Sequence, residues 1–287
     1  MSRFINPFTD WGFKFIFGRE VEKDILIDFL NDLLAGEHVI TDLSFINTEQ
    51  IPDRQEERKA IYDIHCETAT GERIIVEMQN REQPYFRDRG LYYLSRAVVN
   101  QAPTGKWDYC LNAVYGVFFV NFLLSKEEKE GFRTDVVLAD RDTGKVFNSK
   151  FRQIYLELPR FRKDESECET DFERWIYVLK NMETLDRMPF KARKAVFDRL
   201  EQIASVGNLT AEQRDQYETE WKIYNDYYNT LDFAEEKGRK EGMAEGLQKG
   251  MEKGVFQTAL NMKKYGAPMD FIIKCTGLSQ EEIETLS

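Results

Sequence analysis

The residues best suited to chemistry are two acids and an amide, Asp63, Glu77 and Gln79, on the two arms of a hairpin pattern. Residues 60–66 and residues 73–79 each alternate between two faces, and a turn containing Thr and Gly joins them. With the turn centred between the arms, Asp63 lies opposite Glu77, and Gln79 shares the face of Glu77. The hairpin therefore brings the three polar side chains together.

Two carboxylates opposed on neighbouring strands repel each other and destabilise a sheet. A divalent cation between Asp63 and Glu77 would remove that repulsion, and Mg²⁺ prefers one or two carboxylates together with waters and a substrate phosphate. The alternative is that both acids lie on an outward, solvated face of the sheet. The spacing alone leaves both interpretations open.

Several familiar kinds of site are missing from the sequence. Two histidines, His38 and His65, are a poor basis for a catalytic triad or a multi-histidine metal site. The four cysteines lie far apart without a CxxC pair, which argues against a zinc knuckle and against a disulfide framework. The chain also lacks a GxxxxGK(S/T) loop and a GxGxxG turn after a strand, so nucleotide-binding folds lose their main support.

The composition is typical of one large domain, or of a domain with an appendage. Hydrophobic residues make up 42%, and 40 Lys and Arg against 51 Asp and Glu give a net charge of −11, which counts against indiscriminate coating of nucleic acid. No run approaches the ~18 apolar residues of a transmembrane helix, and the first residues lack a secretion signal. We therefore expect no membrane partner and a cytoplasmic location.

The hairpin must be positioned by the strands and helices around it. Capping boxes at Ser125–Glu128, Thr210–Gln213 and Ser279–Glu282 predict three helix starts. Apolar spacing and turn residues predict further elements: helices at 22–34 and 84–101, strands at 39–51, 113–122, 135–138 and 153–158, and helices throughout from residue 170.

The last segment carries a glycine every four residues, from Gly238 to Gly254, among Glu and Lys. On a helix these glycines form a slowly turning bare stripe, and each costs roughly 0.5–1 kcal/mol of helix propensity relative to Ala. One interpretation is a weak, solvated linker helix. The other is close helix–helix packing, between protomers or against the core, where the absent side chains let two backbones approach.

Five sequence blocks in a fixed order resemble the Rpn family of recombination-promoting nucleases and transposases, in the PD-(D/E)XK nuclease superfamily. Asp63 followed by Glu77-Met78-Gln79 is similar to the superfamily signature, in the variant with Gln in the place of Lys. The end of the tail, Cys275–Ser279, is also similar to that of many members. The other four blocks are Asn6–Gly18 (D-x-x-F-K-x-x-F-G), Phe29–Leu34 (L-N-x-x-L), Arg89–Tyr93 and Leu156–Phe161.

The resemblance implies an α/β fold, in which a restriction-endonuclease-like mixed-sheet core is flanked by helices and followed by a helical C-terminal region. With the change of character along the chain, it divides the protein into three parts. These are a nuclease-like core at 1–165, a helical extension at 166–230 and a glycine-repeat helical tail at 231–287.

The resemblance also implies a metal-dependent DNA endonuclease associated with recombination or mobile elements. Asp63 and Glu77 would bind Mg²⁺, or alternatively Mn²⁺ or Ca²⁺, together with the backbone carbonyl of Met78. Gln79 would be the third catalytic residue and would position water or phosphate without a charge of its own. The alternative is a catalytically inactive, nuclease-like module that binds DNA or protein and forms homo-oligomers through its tail.

Several charged residues are candidates for supporting this site. Lys14 or Lys59 could supply the cation that Gln79 lacks, and both are candidates for DNA contact. Arg87 and Arg89, on the helix after the hairpin, could contact phosphate, or they could be solvated or ion-paired. Asp10 is either an additional metal ligand or an acid that caps a helix or turn.

Overall fold

The computed structural model describes residues 2–50, 60–103, 105–125, 127 and 129–286. The chain forms two compact units, Met1–Lys222 and Ile223–Ser287. Among the described residues, no helix combines the length and the apolar character needed to cross a membrane.

The first unit contains a sheet and most of the helices. Its strands are β1 Leu43–Phe45, β2 Glu49–Gln50, β3 Ala60–Ile61, β4 Ile64–Thr68, β5 Arg73–Gln79, β6 Val114–Val120, β7 Arg133–Ala139 and β8 Val146–Glu157. Its helices are α1 Asp10–Phe17, α2 Lys23–Leu33, α3 Phe86–Val99, α4 Asp171–Asn181, α5 Val196–Ala204 and the beginning of α6 Ala211–Lys264.

Six strands form one mixed sheet in the order β1-β4-β5-β6-β8-β7, and β2 pairs separately with β3. The central strands β5, β6 and β8 run parallel, while β4 and β7 flank them antiparallel and β1 is antiparallel to β4. Every residue of β6 is buried, as expected of a central strand with helices on both faces. The α/β architecture predicted from the sequence, a mixed sheet flanked by helices and followed by a helical region, is confirmed.

The two faces of the sheet belong to two separate cores. Ile74 and Val76 of β5 point into the larger core, which α1, α2, α4 and α5 cover with a cluster of Phe and Trp side chains. The intervening residue Ile75 points into the smaller core, under α3. This alternation is the side-chain period of a strand, and it fixes which β5 residues face α3.

The structure interrupts the strand predicted at 39–51, whose described part forms β1 and β2, and two further predicted elements. The strand predicted at 60–66 is broken at Tyr62 and Asp63, so that β3 pairs with β2 while β4 pairs with β5. In the segment predicted as a helix start at Ser125–Glu128, Ser125 and Glu127 are not helical, and Arg160 donates hydrogen bonds to both of their carbonyls. Lys126 and Glu128 lie outside the described residues. The capping boxes that begin at Thr210 and Ser279 are both present.

The second unit consists of the rest of α6 with two short helices, α7 Met269–Thr276 and α8 Gln280–Thr285. Its small core centres on Ala259, Ile272 and Ile283. Lys263 fixes the end of α8, since its ammonium group donates hydrogen bonds to the backbone carbonyls of residues 283, 284 and 286. Such a cation satisfies carbonyls that a helix end leaves without intrahelical partners.

Candidate active site

The hairpin register places Asp63 opposite Glu77, as the sequence predicts. Ile64 pairs with Val76 at the first step of the β4–β5 ladder, so Asp63, one residue earlier, faces Glu77. The backbone N–H of Asp63 donates a hydrogen bond to Oε1 of Glu77 at 3.1 Å. The two carboxyl groups are therefore held together by backbone contacts at one end of the hairpin.

A break in the ladder shapes the site. Continued regularly, the strand would set Tyr62 opposite Met78, but the Tyr62 N–H donates instead to the Thr48 carbonyl at 3.0 Å. The Met78 N–H turns to the carboxylate and donates to Oδ2 of Asp63 at 2.8 Å. Because the N–H and C=O of one strand residue point to the same side, the Met78 carbonyl also faces the edge where Asp63 lies.

Tyr62 leaves the ladder with its side chain fully packed. Its ring meets those of His65 and Tyr93 edge-on, with centroids 5.0 Å apart in each case, and its hydroxyl donates to the Tyr93 carbonyl at 3.2 Å. The packing of Tyr62 against β4 and α3 therefore stabilises the break in the ladder, which leaves the Met78 N–H free to donate to Asp63.

Burial raises the pKa of both acids, because it disfavours the ionised form. Glu77 is 5% exposed, and burial followed by the neighbouring Asp63 charge raises its pKa to about 8, although Arg89 and Lys14 act in the opposite direction. Burial also raises the pKa of Asp63, against the Met78 N–H and the Lys14 charge. Two acids so placed either retain protons or share a cation, and a bound cation lets both ionise.

In the part of the chain that the structure describes, two cations flank the carboxyl pair. Nη2 of Arg89, in the first turn of α3, donates to Oε1 of Gln79 at 2.6 Å and lies 4.0 Å from Oε2 of Glu77. Lys14 of α1 lies 2.7 Å from Oδ1 of Asp10, and its charge acts on both Asp63 and Glu77. Gln79 lies beside the pair, and its Nε2 donates to the Arg81 carbonyl at 3.0 Å.

The other predicted residues lie elsewhere or outside the described part of the chain. Arg87 donates to the Leu124 carbonyl at 2.5 Å and makes no described contact with the carboxyl pair. Asp10 is the first residue of α1, where Thr9 provides the N-cap hydrogen bond, and Asp10 pairs with Lys14. Lys59 lies outside the described residues.

Tyr93 packs against the smaller core under α3 and also borders the carboxyl pair. Its pKa is raised by burial and then by the charge of Glu77, and the Arg89 guanidinium lies 5.7 Å from its ring centroid. The available signal is the i, i+4 spacing of Arg89 and Tyr93, which puts both on one face of α3. Gln83 also borders the site, because its Oε1 accepts a hydrogen bond from Nη1 of Arg89 at 3.0 Å.

The donor set fits a hard divalent cation. Within the described ranges, no three or more His, Cys, Asp and Glu side chains come together as a metal cluster. Two carboxylates and one backbone carbonyl provide oxygen ligands alone, which suits Mg²⁺, Mn²⁺ or Ca²⁺ with waters and phosphate in the remaining positions, and does not suit zinc.

Comparison with known proteins gives one family. The family model described as PD-(D/E)XK nuclease family transposase matches residues 7–234, more than half of the chain, and its span includes the carboxyl pair, Gln79 and Arg89. Neither a search of curated proteins nor a search of solved structures found a significant match.

Proposed function

Because the chain belongs to the PD-(D/E)XK nuclease family transposases, we propose that it is a divalent-metal-dependent DNA endonuclease that hydrolyses phosphodiester bonds. The observation that carries the proposal is the pair of Asp63, which is partly buried, and Glu77, which is buried; the two are opposed across the hairpin and both are raised in pKa by burial. A sheet has no structural need for two opposed acids withdrawn from solvent, whereas a metal site does.

In this proposal, Asp63 and Glu77 provide the carboxylate ligands and the Met78 carbonyl a third oxygen. A bound divalent ion supplies an activated water and neutralises charge on the phosphate. The Met78 N–H fixes the orientation of Asp63, and the Asp63 N–H fixes that of Glu77. The second N–H of the Gln79 amide remains to donate to phosphate or to orient water.

We take Mg²⁺ as the ion, with Mn²⁺ or Ca²⁺ as alternatives, and DNA as the substrate in recombination or mobile-element biology, as in the Rpn family. The net charge of −11 does not oppose this, because Arg89 places positive charge beside the carboxyl pair, where the scissile phosphate would lie. DNA binding should therefore be local, metal-assisted and strongly weakened by salt. The cysteines Cys66, Cys110, Cys168 and Cys275 are free thiols, which supports a cytoplasmic location.

The test is nicking of supercoiled plasmid by the purified protein with Mg²⁺ or Mn²⁺. Asp63→Asn and Glu77→Gln should each lower the rate at least about 100-fold, because the loss of a ligand removes several kcal/mol of charge stabilisation. Asp142→Asn, in the exposed turn between β7 and β8, is the matched control and should cleave like the wild type. Equal cleavage by all four proteins, or none by the wild type, would contradict the proposal.

The tail favours a second role, self-association, which is also what an inactive DNA-binding or protein-interaction module would retain. A Cβ added at any glycine from Gly238 to Gly254 would meet no atom within 4 Å, so the stripe lies open. Beside it, the apolar residues Met243, Leu247 and Met251 repeat every four positions and are 66–73% exposed. We infer that two tails pack through this stripe.

Light scattering of the full chain tests the inference. Leu247→Glu should convert an oligomer to a monomer, because it places a charge in the packed stripe. Gln248→Glu changes the charge by the same amount one residue away and should leave the mass unchanged. A monomeric wild type would make the stripe a solvated linker.

A further inference from the structure

The two cations beside the carboxyl pair are held in different ways. The ammonium group of Lys14 is neutralised by Asp10 at 2.7 Å. The guanidinium of Arg89 is held by two uncharged carboxamides, those of Gln79 at 2.6 Å and Gln83 at 3.0 Å. Its nearest described carboxylate oxygen, on Glu77, is 4.0 Å away. Among the described residues, no carboxylate accepts a hydrogen bond from the Arg89 guanidinium, whereas Asp10 accepts one from Lys14.

Gln79 is fixed at both ends of its carboxamide. Nε2 donates to the Arg81 carbonyl, and Oε1 accepts from Arg89. The amide thus has one orientation, with its oxygen directed at the guanidinium. A side chain held in this way aims Arg89 while it carries no charge that would cancel that of the guanidinium.

The guanidinium is also placed to meet a phosphate. The Phe86 and Tyr93 rings lie 5.4 Å and 5.7 Å from its central carbon, so its plane is supported on the α3 side. The Arg89 side chain is 33% exposed, whereas that of Glu77 is 6% exposed, so the guanidinium is more accessible to a ligand than the carboxylate beside it. Guanidinium has five N–H donors, of which Gln79 and Gln83 use two.

We propose that Arg89 is the residue that contacts the scissile phosphate and stabilises its negative charge, and that Gln79 is the positioning residue that holds it there. This deepens the proposed nuclease function and rests on it. A guanidinium offers N–H donors and a positive charge, so the contribution of Arg89 is charge stabilisation and not proton transfer. The charge reaches the site from α3 and not from position 79 of β5.

Plasmid nicking by Arg89→Ala gives the first readout. We expect kcat to fall about 100-fold, comparable to the loss of a donor aimed at developing charge. Mn²⁺ should still bind one ion per chain, because the carboxyl pair is intact. Arg141→Ala, in the exposed β7–β8 turn, is the matched arginine control and should leave kcat unchanged. A kcat for Arg89→Ala within about twofold of the wild type would overturn the proposal.

Supplying the positive charge from another residue shows whether Arg89 acts through its charge or through its packing. The Gln79 side chain ends 2.6 Å from the Arg89 guanidinium, so a lysine at position 79 would bring its ammonium group to the place that the guanidinium occupies. Gln79→Lys combined with Arg89→Ala should recover at least tenfold of the rate lost by Arg89→Ala, although the packing of Arg89 on the rings is still missing. Millimolar guanidinium should likewise raise the rate of Arg89→Ala. Failure of both rescues would assign Arg89 to structure and overturn the proposal.

DNA binding with Ca²⁺ separates this inference from the nuclease function. Arg89→Ala should weaken binding of an oligonucleotide duplex and lower the salt slope by about one, as expected for one lost phosphate contact. If the wild type does not cleave but this change is seen, the nuclease function fails and the phosphate contact stands. If the wild type cleaves and Arg89→Ala alters neither cleavage nor the slope, the Arg89 proposal alone fails.

Discussion

The two units of the chain use burial in opposite ways. In Met1–Lys222, two cores cover the two faces of the sheet, and burial raises the pKa values of two acids on its strands. In Ile223–Ser287, only a small cluster around Ile272 is buried among the described residues, and the glycine stripe is exposed. Chemistry that depends on poorly solvated carboxylates requires the first arrangement. In the proposed function, catalysis therefore belongs to the first unit and self-association to the second.

Replacing a phenylalanine by alanine should have very different effects on the free energy of unfolding in the two units, and this is the largest difference that we expect. Phe29 is fully buried, with its ring centroid 5.2 Å from that of Phe119 and 5.9 Å from that of Trp175. Phe29→Ala should lower the free energy of unfolding of the first unit by about 3–5 kcal/mol. Phe233→Ala, in the 70% exposed tail position, should change it by less than about 0.5 kcal/mol.

Denaturant titration followed by tryptophan fluorescence measures this difference, because every tryptophan lies in the first unit, at positions 11, 107, 175 and 221. Equal shifts for the two variants would show that the units do not differ in packing as described.

Stability should respond to pH and metal in the first unit. The pKa of Glu77 rises from 4.5 to about 8 on folding, so between these values the folded chain retains a proton that the unfolded chain releases. Without metal, this group therefore makes the unit less stable as pH rises from about 4.5 to 8. Mn²⁺ competes with the proton, so its stabilising effect, about 2.7 kcal/mol at 100 times its Kd, should grow over the same range.

Thermal unfolding with and without Mn²⁺ at pH 5.5 and pH 8 checks this, with hydrogen exchange to assign the gain to β4 and β5 and not to the tail. Glu77→Gln should abolish the pH dependence of the gain. A gain independent of pH in the wild type would count against Glu77 as a ligand.

Glycine-to-alanine exchange should have opposite signs in the two units. At Gly12 of α1, a Cβ would lie 2.2 Å from the Asn6 carbonyl oxygen, so Gly12→Ala should destabilise the first unit by about 1–3 kcal/mol. At Gly246 the space within one chain is open, so at concentrations where the chain is monomeric Gly246→Ala should stabilise the tail helix by about 0.5–1 kcal/mol. Fluorescence-detected unfolding measures the first change and amide exchange the second. If alanine destabilised the chain at both Gly12 and Gly246, the expected difference in sign between the two units would be wrong.

The parts of the structure that are predictable from sequence are those that local chemistry determines. Alternation on two arms and a turn fix the pairing of Asp63 with Glu77, and a Ser or Thr three residues before a Glu or Gln fixes a helix start at Thr210 and Ser279. Apolar continuity likewise predicts the buried strand β6. Each of these signals lies within a few residues of the contact it predicts.

The rest depends on contacts between distant segments. The Tyr62 N–H leaves the ladder for Thr48, fourteen residues earlier, and without that break the Met78 N–H would not reach Asp63. The Arg89 side chain reaches Gln79 only because α3 packs under the sheet on the Ile75 face. Sequence spacing leaves Lys14, Lys59, Arg87 and Arg89 as equal candidates, and tertiary packing distinguishes among those that the structure describes.

Calorimetric titration of the full chain with Mn²⁺ tests the central claim most directly, namely that Asp63 and Glu77 hold one divalent cation. The account predicts one site per chain in the wild type, and binding at least about tenfold weaker in both Asp63→Asn and Glu77→Gln. Asp142→Asn should bind like the wild type. The account is contradicted if the wild type binds no ion, or if the two site variants bind it as tightly as the wild type.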